Sequence, residues 1–214
     1  MQKQVKALLF DMDGTLVNSH RITEGAWGSF ARRHSLDLNE ILAISHGRPS
    51  IETVKIFKTP QMDIQKEAEL IDRFNLINSG EEAVAGALEL LLHLPLERWA
   101  IVTSASEELA RIRLTRAGLP IPELLIAEDH VTKGKPHPEC YLLAAKKLNV
   151  KPSDCIIFED APAGVIAANN ANIPVVIIGA DKIARSMPHE LNIPNFLGVN
   201  ATLENDFINL FITK

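Results

Sequence analysis

Short apolar runs followed by helical segments constrain the fold of this chain more than any other feature. Five runs are rich in β-branched or aromatic residues and resemble strands that are buried on both faces: residues 5–10, 100–103, 124–127, 155–158 and 174–179. Segments with helical periodicity follow most of them, at 106–117, 138–148 and 162–171. Alternating strands and helices predict right-handed βαβ units, and therefore an α/β fold with a Rossmann-like parallel sheet covered on both faces.

The long segment between the first two runs departs from this alternation. It contains no good strand, but residues 22–34, 39–44, 50–57 and 63–76 all have helical spacing. We therefore expect an all-α cap domain, residues 18–80, inserted after the first strand and ending at the turn signal Asn78-Ser79-Gly80. The Rossmann-like core would comprise residues 1–17 and 81–214. Beyond residue 180 the pattern is weaker, and we expect an edge strand at 196–199 and a closing helix or strand at 207–212.

Composition and charge exclude several classes of function. The chain has 214 residues, of which 46% are hydrophobic and 23% charged, as in ordinary globular proteins. Its net charge of −5 provides no basic field for nucleic acid. No apolar run approaches the roughly 20 residues that a membrane span needs, and no cleavage signal follows the first lysines. Cys140 and Cys155 are expected to be reduced, buried thiols. We expect a cytoplasmic protein with no nucleic-acid or membrane partner.

The first apolar run ends in a pair of aspartates. Asp11 and Asp13 are two residues apart, so strand alternation would point both side chains the same way, and Gly14 permits the tight turn that follows. In a parallel sheet the ligand crevice lies outside the carboxyl ends of the strands. Taken alone, this segment also fits an aspartate-rich turn that caps a helix.

Polar residues also follow three other runs: Thr103 and Ser104, then Lys135, then Glu159 and Asp160. Each group has an ordinary structural explanation, as a helix cap or a solvated loop lysine. However, all of these groups lie at strand ends that meet at one crevice. This shared position indicates a common site instead. Carboxylates suit Mg²⁺, hydroxyls at a helix start and a lysine suit a phosphate, and a further carboxylate can act as a nucleophile.

Together, these segments resemble the four motifs of the haloacid dehalogenase superfamily: Asp11-Met12-Asp13-Gly14-Thr15-Leu16, Thr103 with Ser104, Lys135, and Glu159-Asp160. Their order and the helical insert resemble its small-cap branch, which contains sugar-phosphate and glycerol-phosphate phosphatases and β-phosphoglucomutase. Residues 159–165 and 45–48 most resemble the sugar and polyol phosphate phosphatases. The resemblance implies Mg²⁺-dependent hydrolysis of a small-molecule phosphate ester by a monomer or weak dimer.

The same resemblance implies a role for each core residue. Asp11 would be the nucleophile that forms a phosphoaspartyl intermediate, and also a Mg²⁺ ligand. Asp13 would act first as general acid and then as general base, while its backbone carbonyl binds Mg²⁺. Asp160 would bind the metal directly and Glu159 through a water molecule.

Further expected contacts concern the phosphoryl group and the leaving group. Thr103 and the backbone N–H of Ser104 would bind phosphoryl oxygens, and Lys135 would neutralise them and orient Asp11. The candidate cap contacts to the leaving group are Trp27, His46, Gly47 and Arg48. Each of these cap residues also has a purely structural interpretation, such as helix packing for Trp27 or a solvated surface position for Arg48.

Two rival functions are disfavoured by particular residues. A β-phosphoglucomutase-like hexose phosphate mutase would carry a cap histidine where Thr23 aligns, and a late cap lysine that is absent between Lys66 and Lys133. Dehalogenases of the superfamily lack the second aspartate, which is present here as Asp13. A non-catalytic binding protein of the same fold would be expected to have lost one of the motif residues, and none is lost.

Overall fold

The computed structural model describes residues 1–179 and 181–213. The strands in this part of the chain are β1 (Gln2–Val5), β2 (Ala7–Phe10), β3 (Val17–Asn18), β4 (Glu82–Ala83), β5 (Trp99–Val102), β6 (Leu125–Ile126), β7 (Cys155–Glu159), β8 (Val175–Ile178), β9 (Leu191–Ile193), β10 (Val199–Glu204) and β11 (Phe207–Ile212). The α-helices are α1 (His20–His34), α2 (Leu38–Ser45), α3 (Ser50–Ile56), α4 (Ile64–Ile77), α5 (Ala87–His93), α6 (Glu107–Arg116), α7 (Glu139–Lys147) and α8 (Pro162–Asn170).

A parallel sheet forms the centre of the fold, with strand order β6-β5-β2-β7-β8-β9 in the described residues. Strand β2 lies between β5 and β7, and both pairings are parallel. Successive residues of β2 face opposite layers: Leu8 and Phe10 pack in one hydrophobic cluster, while Ala7 and Leu9 pack in the other. Each face of the sheet is therefore buried, and the predicted α/β fold with a parallel sheet is confirmed.

Residues 20–77 form the helices α1 to α4, which have a hydrophobic cluster of their own. Its buried members include Trp27, Phe30 and Ile71. The side chain of Asp63 caps α4 by accepting a hydrogen bond from the Lys66 amide at 3.1 Å. The chain leaves and re-enters the sheet domain through β3 and β4, which pair antiparallel with each other. The exact division at residues 18 and 80 stays a prediction.

The two ends of the sequence differ from expectation. The expected first strand divides at Lys6, because its amide donates to the Asp154 carbonyl at 2.7 Å while β1 pairs with β11 in a separate antiparallel sheet, β1-β11-β10. Of the closing helix or strand expected at 207–212, the structure has the strand, β11. It forms a hairpin with β10 through Asn205 and Asp206, whose φ angles of 47° and 70° suit a tight hairpin turn.

The edge strand expected at 196–199 begins only at Val199, as β10 at one edge of the antiparallel sheet, so the prediction is wrong for residues 196–198. Phe196 instead lies in a turn and fills the core beneath Phe158, with ring centroids 5.5 Å apart. Phe196 is therefore apolar because a loop side chain is buried there, and in the described residues β9 and β6 form the two edges of the parallel sheet. Helix α5 was also not predicted. Among the described residues, no helix is long and apolar enough to cross a membrane, and Cys140 and Cys155 are free and buried as expected.

Candidate active site

Three carboxylates meet at the carboxyl ends of the two central strands. Asp11 directly follows β2, and its amide still donates to the Phe158 carbonyl at 2.9 Å, which fixes its backbone to the sheet. Glu159 is the last residue of β7, and Asp160 comes next. One oxygen from each of Asp11, Glu159 and Asp160 lies within 4.8 Å of the others. Strand topology thus brings Asp11 together with two acids that lie 148 and 149 positions later in the sequence.

Lys135 is buried beside these carboxylates and uses all three of its N–H donors. Its Nζ donates to Asp11 Oδ1 at 2.6 Å, to Glu159 Oε1 at 2.7 Å and to the Val102 carbonyl at 3.0 Å. Burial acts to lower the pKa of Lys135, but the charges of Asp11 and Glu159 outweigh it and hold that pKa well above its ordinary value. The ammonium group is therefore a fixed positive charge within the cluster.

Glu159 is fully buried and its carboxylate accepts four hydrogen bonds. Oε1 accepts from Lys135 and from the Tyr141 hydroxyl at 3.0 Å, while Oε2 accepts from the amides of Asp160 and Ala161 at 2.8 and 2.9 Å. A Cβ atom at Gly164 would collide with this carboxylate, so glycine is required there. These bonds make Glu159 the anchor for Lys135 and for the loop that carries Asp160.

The environment of Asp11 and Asp160 favours a cation. Burial raises the pKa of Asp11 to about 7, against the opposing charge of Lys135. Burial, with the charges of Glu159 and Asp11, raises the pKa of Asp160 well above its ordinary value. Carboxylate oxygens are the ligands that hard divalent ions prefer, and a second positive charge would relieve this surplus of buried negative charge. The donor set therefore fits a hard divalent cation.

Asp13 lies apart from the three clustered carboxylates and faces a cavity. Its Oδ1 accepts a hydrogen bond from the Ser19 hydroxyl at 2.6 Å and forms an ion pair with Arg113 Nη1, which lies 2.7 Å away. Arg113 is buried, and its other terminal nitrogen donates to Asn75 Oδ1 at 3.0 Å. One hydrogen bond and one ion pair therefore hold the Asp13 carboxylate at the side of the cavity.

We did not identify Arg113 or Asn75 from the sequence, although a signal exists. Arg113 falls on the buried face of α6, between Leu109 and Leu114, and Asn75 falls on the buried face of α4, one turn after Ile71. A polar residue on the apolar face of a helix must find a polar partner. That requirement could have marked both residues as candidates.

The cavity between the sheet and helices α1 to α4 has a volume of about 80 Å³. Its lining contains the following residues that the sequence suggested: Asp11, Asp13, Thr103 and Ser104 from the core, and Trp27, His46, Gly47 and Arg48 from the helical insert. Lys135 and Glu159 lie beneath this lining, bonded to Asp11 as described above. Asp160 lines an adjoining cavity with Gly14. The structure thus places every expected site residue in or directly beside one region.

Two core residues, Thr103 and Ser104, lie between strand β5 and helix α6. The Thr103 amide donates to the Ile126 carbonyl at 2.9 Å, and its Oγ1 accepts from the Ala105 amide at 3.1 Å, so its side chain is held at the cavity wall. The Ser104 hydroxyl donates across to the Gly47 carbonyl at 2.9 Å. Gly47 has a φ of 71°, and a Cβ there would come within 2.8 Å of the Ala161 side chain. The insert therefore contacts the core at this point.

The other insert residues differ in how free they are to bind a ligand. Trp27 is buried and packs edge-on against Phe30, with ring centroids 5.8 Å apart, so most of the indole serves packing. His46 Nδ1 lies 3.1 Å from the Leu42 carbonyl oxygen. Its Nε2, like Arg48 Nε, is buried without a hydrogen-bond partner in residues 1–179 and 181–213. Both groups have bonding capacity left for a ligand in the cavity.

A family model for haloacid dehalogenase-like hydrolases matches residues 5–172, a span that contains all of these site residues. The chain belongs to the haloacid dehalogenase-like hydrolase family. This finding confirms the family resemblance of the motifs. The matched span ends before β8, so the family pattern covers the insert, the carboxylate cluster and the lysine.

Two characterised relatives of this family member are phosphatases. It is 41% identical over 180 residues to hexitol phosphatase A of Escherichia coli, covering 82% of this chain and 83% of the relative. It is 37% identical over 176 residues to validoxylamine A 7′-phosphate phosphatase of Streptomyces hygroscopicus, with coverage of 78% and 83%. A solved hydrolase from Pseudomonas syringae has the same fold, with a TM-score of 0.76 at 24% identity over 87% of this chain and 92% of that one.

Proposed function

We propose that this hydrolase is a Mg²⁺-dependent phosphatase that acts on small phosphorylated sugars or polyols through a phosphoaspartyl intermediate on Asp11. Its relatives confirm the prediction of a phosphoric monoester hydrolase. The observation that carries the finer proposal is the arrangement of Asp11. One of its oxygens is held by buried Lys135, and the residue lines the cavity between the sheet and the helical insert.

The metal would be held by Asp11, Asp160 and the backbone carbonyl of Asp13, with Glu159 acting through a water molecule. When bound, Mg²⁺ supplies positive charge to the phosphoryl oxygens. It also offsets the negative charge that remains because one ammonium group, that of Lys135, faces three carboxylates. The four hydrogen bonds already made by Glu159 support its indirect role, because its oxygens are occupied by donors. The Thr15 hydroxyl, 3.3 Å from Asp160 Oδ1, would help to orient that ligand.

The reaction needs a nucleophile, a proton donor and a site for phosphoryl charge. Lys135 bonds to Asp11 Oδ1, which leaves Oδ2 as the atom that we assign to attack phosphorus. As the new O–P bond forms, the ester O–P bond breaks and Asp13 gives its proton to the departing alkoxide. Thr103 and the Ser104 amide would bind the phosphoryl oxygens, and the charge of Lys135 would neutralise them while its hydrogen bond orients Asp11, an arrangement that stabilises charge without reorganisation.

Hydrolysis of the intermediate returns the enzyme to its starting state. Asp13, now deprotonated, takes a proton from a water molecule whose oxygen attacks phosphorus. The Asp11–phosphorus bond breaks, and inorganic phosphate and free Asp11 result. A single carboxylate thus acts as acid and then as base, which requires that it faces the leaving group and the water from one fixed position. The bonds from Ser19 and Arg113 provide that position.

We further propose that residues 18–80 act as a cap that excludes bulk water and recognises the leaving group. Because a carbonyl oxygen can only accept, the contact of His46 Nδ1 with Leu42 places the proton on Nδ1. In the neutral ring Nε2 is then an acceptor, and it suits a hydroxyl donor. Arg48 would add a guanidinium donor to a substrate oxygen, and Trp27 an apolar edge. This set favours a leaving group rich in hydroxyl groups.

A hexose phosphate mutase is the less supported alternative. Thr23 lines the cavity at the position where the mutases of this branch carry a histidine, and a hydroxyl of ordinary acidity is a poor replacement for an imidazole in proton transfer. A cytoplasmic location and a monomer or weak dimer stay predictions. The acidic net charge supports small phosphate esters over nucleic acid as partners.

Phosphate release tests the proposal directly. Wild-type protein and Asp11→Asn would be assayed with and without Mg²⁺ on p-nitrophenyl phosphate, hexose 6-phosphates, hexitol phosphates, glycerol 3-phosphate and β-glucose 1-phosphate. We expect Mg²⁺-dependent release that is greatest for sugar or polyol phosphates, and none from Asp11→Asn, because an amide is a poor nucleophile. Isomerisation of β-glucose 1-phosphate without phosphate release would establish the mutase instead. Turnover by Asp11→Asn near the wild-type rate would refute the role of Asp11.

A further inference from the structure

A buried arginine connects the cavity's proton donor to the helical insert. Arg113 belongs to α6 of the core, and its side chain is 5% exposed. Nη1 lies 2.7 Å from Asp13 Oδ1, and Nη2 donates to Asn75 Oδ1 at 3.0 Å. Asn75 belongs to α4 of the insert and is also buried. One guanidinium group therefore bonds a residue from each of the two parts that enclose the substrate cavity.

The orientation of the Asn75 amide is fixed. Its Nδ2 donates to the Ile71 carbonyl one turn earlier in α4, at 3.1 Å. This bond assigns the nitrogen and oxygen of the amide and leaves Oδ1 facing Arg113. The position of the guanidinium plane therefore depends on where α4 lies. Arg113 Nε is buried without an acceptor in the described part of the chain, so the two terminal contacts define the placement of the group.

We propose that Arg113 is a positioning residue. When α4 is docked, Arg113 holds Asp13 in the orientation for proton transfer to the leaving group, and Asn75 is the insert residue through which the position of α4 affects Arg113. The inference rests on the proposed phosphatase function. Proton transfer requires a donor within hydrogen-bonding reach of the departing oxygen. An arginine side chain held at only one end regains much of its conformational freedom, and Asp13 would then lose a fixed partner.

A second arginine on the same helix provides a matched control. Arg116 also contacts the end of α4, where Nη2 donates to the Leu76 carbonyl at 2.9 Å and Nη1 to the Asn78 carbonyl at 2.5 Å. Nη1 also lies 3.3 Å from Glu81 in the returning linker. Within the described residues its hydrogen bonds go to α4 and this linker. Arg116 therefore supports docking of the insert without touching Asp13.

The choice of leaving group distinguishes a role of Arg113 in positioning Asp13 from a role in docking the insert. An alkoxide needs a proton as it departs, whereas p-nitrophenolate is a weak base that leaves with little help. Loss of general acid catalysis typically costs about 10²–10⁴-fold, so its effect should fall on alkyl esters. The ratio kcat/KM reports the steps up to departure of the leaving group, and slow hydrolysis of the intermediate does not mask it.

The experiment compares kcat/KM for sorbitol 6-phosphate and p-nitrophenyl phosphate in wild type, Arg113→Met, Asn75→Leu, Arg116→Met and Asp13→Asn. We expect Arg113→Met to lose about 10²-fold on the alkyl ester and less than about 5-fold on the aryl ester. Asn75→Leu should lower the ratio of kcat/KM for the alkyl ester to kcat/KM for the aryl ester in the same direction, by a smaller factor. Arg116→Met should lower kcat/KM for both substrates by the same factor. Urea unfolding of each variant checks that it is folded.

Several outcomes would overturn the inference. Equal losses on the two esters in Arg113→Met would make Arg113 a docking residue only, and an unchanged ratio in Asn75→Leu would remove the link to the insert. If Arg113→Met does not fold, Arg113→Lys, which keeps the charge but lacks the planar two-nitrogen fork that spans Asp13 and Asn75, must show the altered ratio. Failure of the proposed function is distinguishable, because wild type would then hydrolyse neither ester. If Asp13→Asn left the ratio unchanged, Asp13 would not be the proton donor that Arg113 is proposed to position, and the inference would fail.

Discussion

Removal of the Lys135 ammonium group should destabilise the fold as well as abolish activity. In Lys135→Met the aliphatic stem is largely kept, but three hydrogen bonds are lost, two of them to the carboxylates Asp11 and Glu159. Both carboxylates are buried, and Glu159 is completely inaccessible to solvent. The change therefore leaves two negative charges near each other without the cation that lies between them.

The size of the effect follows from these contacts. Hydrogen bonds to charged groups contribute about 1.5–3 kcal/mol each, and two such bonds disappear. Breaking a buried ion pair by removing one partner costs about 3–5 kcal/mol in general, because the other charge stays buried. We therefore expect the free energy of unfolding to fall by about 3–5 kcal/mol, a large part of the 5–15 kcal/mol typical of a domain.

Urea unfolding followed by circular dichroism measures this difference, with EDTA present so that a bound metal does not contribute. Lys133→Met is the control, because Lys133 lies in the same loop but is exposed, and its removal should change the unfolding free energy by less than about 0.5 kcal/mol. A loss below about 1 kcal/mol in Lys135→Met would refute the reasoning. It would mean that solvent or protonation compensates the two carboxylates.

Two further predictions concern a turn and a cluster of acidic residues. Gly14 has a φ of 86°, and an added Cβ would collide with the Asp160 carboxylate. Gly14→Ala should therefore weaken Mg²⁺ binding at least about 10-fold in calorimetric titration, as loss of a group that orients a metal ligand does. Unchanged affinity would contradict this. Burial, with the charges of Asp72, Asp129 and Glu52, raises the pKa of Glu128 from 4.5 to about 7. Its charged form therefore destabilises the folded state as the pH rises through 7. Because Glu128 is partly exposed, we discount the effect and expect Glu128→Gln to raise the unfolding free energy by about 1 kcal/mol at about pH 8, with the gain vanishing near pH 4.5; a gain that is independent of pH would show that the carboxylate charge is not the cause.

The motif residues were predictable because a parallel sheet has a fixed geometry. Once residues 5–10 and 155–158 are assigned as strands, Asp11 and Glu159 must both lie at carboxyl ends. The parallel pairing of β2 with β7 places them together. Lys135 is in a loop; its position after the third apolar run placed it at the same crevice, but its role toward Asp11 came from the family resemblance, since loop geometry does not follow from periodicity.

The C-terminal region was harder to predict for a different reason. Val199–Glu204 and Phe207–Ile212 form a hairpin that β1 completes across almost the whole length of the chain. Such a sheet depends on pairings between distant segments, which no local pattern records. Phe196 was apolar for tertiary reasons, because it fills a space under Phe158 rather than belonging to a strand.

The sequence by itself determined the fold class, the helical insert, the family and the residues available for phosphoryl chemistry, because hydrophobic period and motif spacing are local properties of the chain. Only the tertiary structure decided that Glu159 is an anchor with four donors, that His46 Nε2 is left without a partner, and that Arg113 joins Asp13 to Asn75. These features depend on side chains from separate helices and strands that meet only after packing. The bond between α6 and α4 is therefore visible only in the folded molecule.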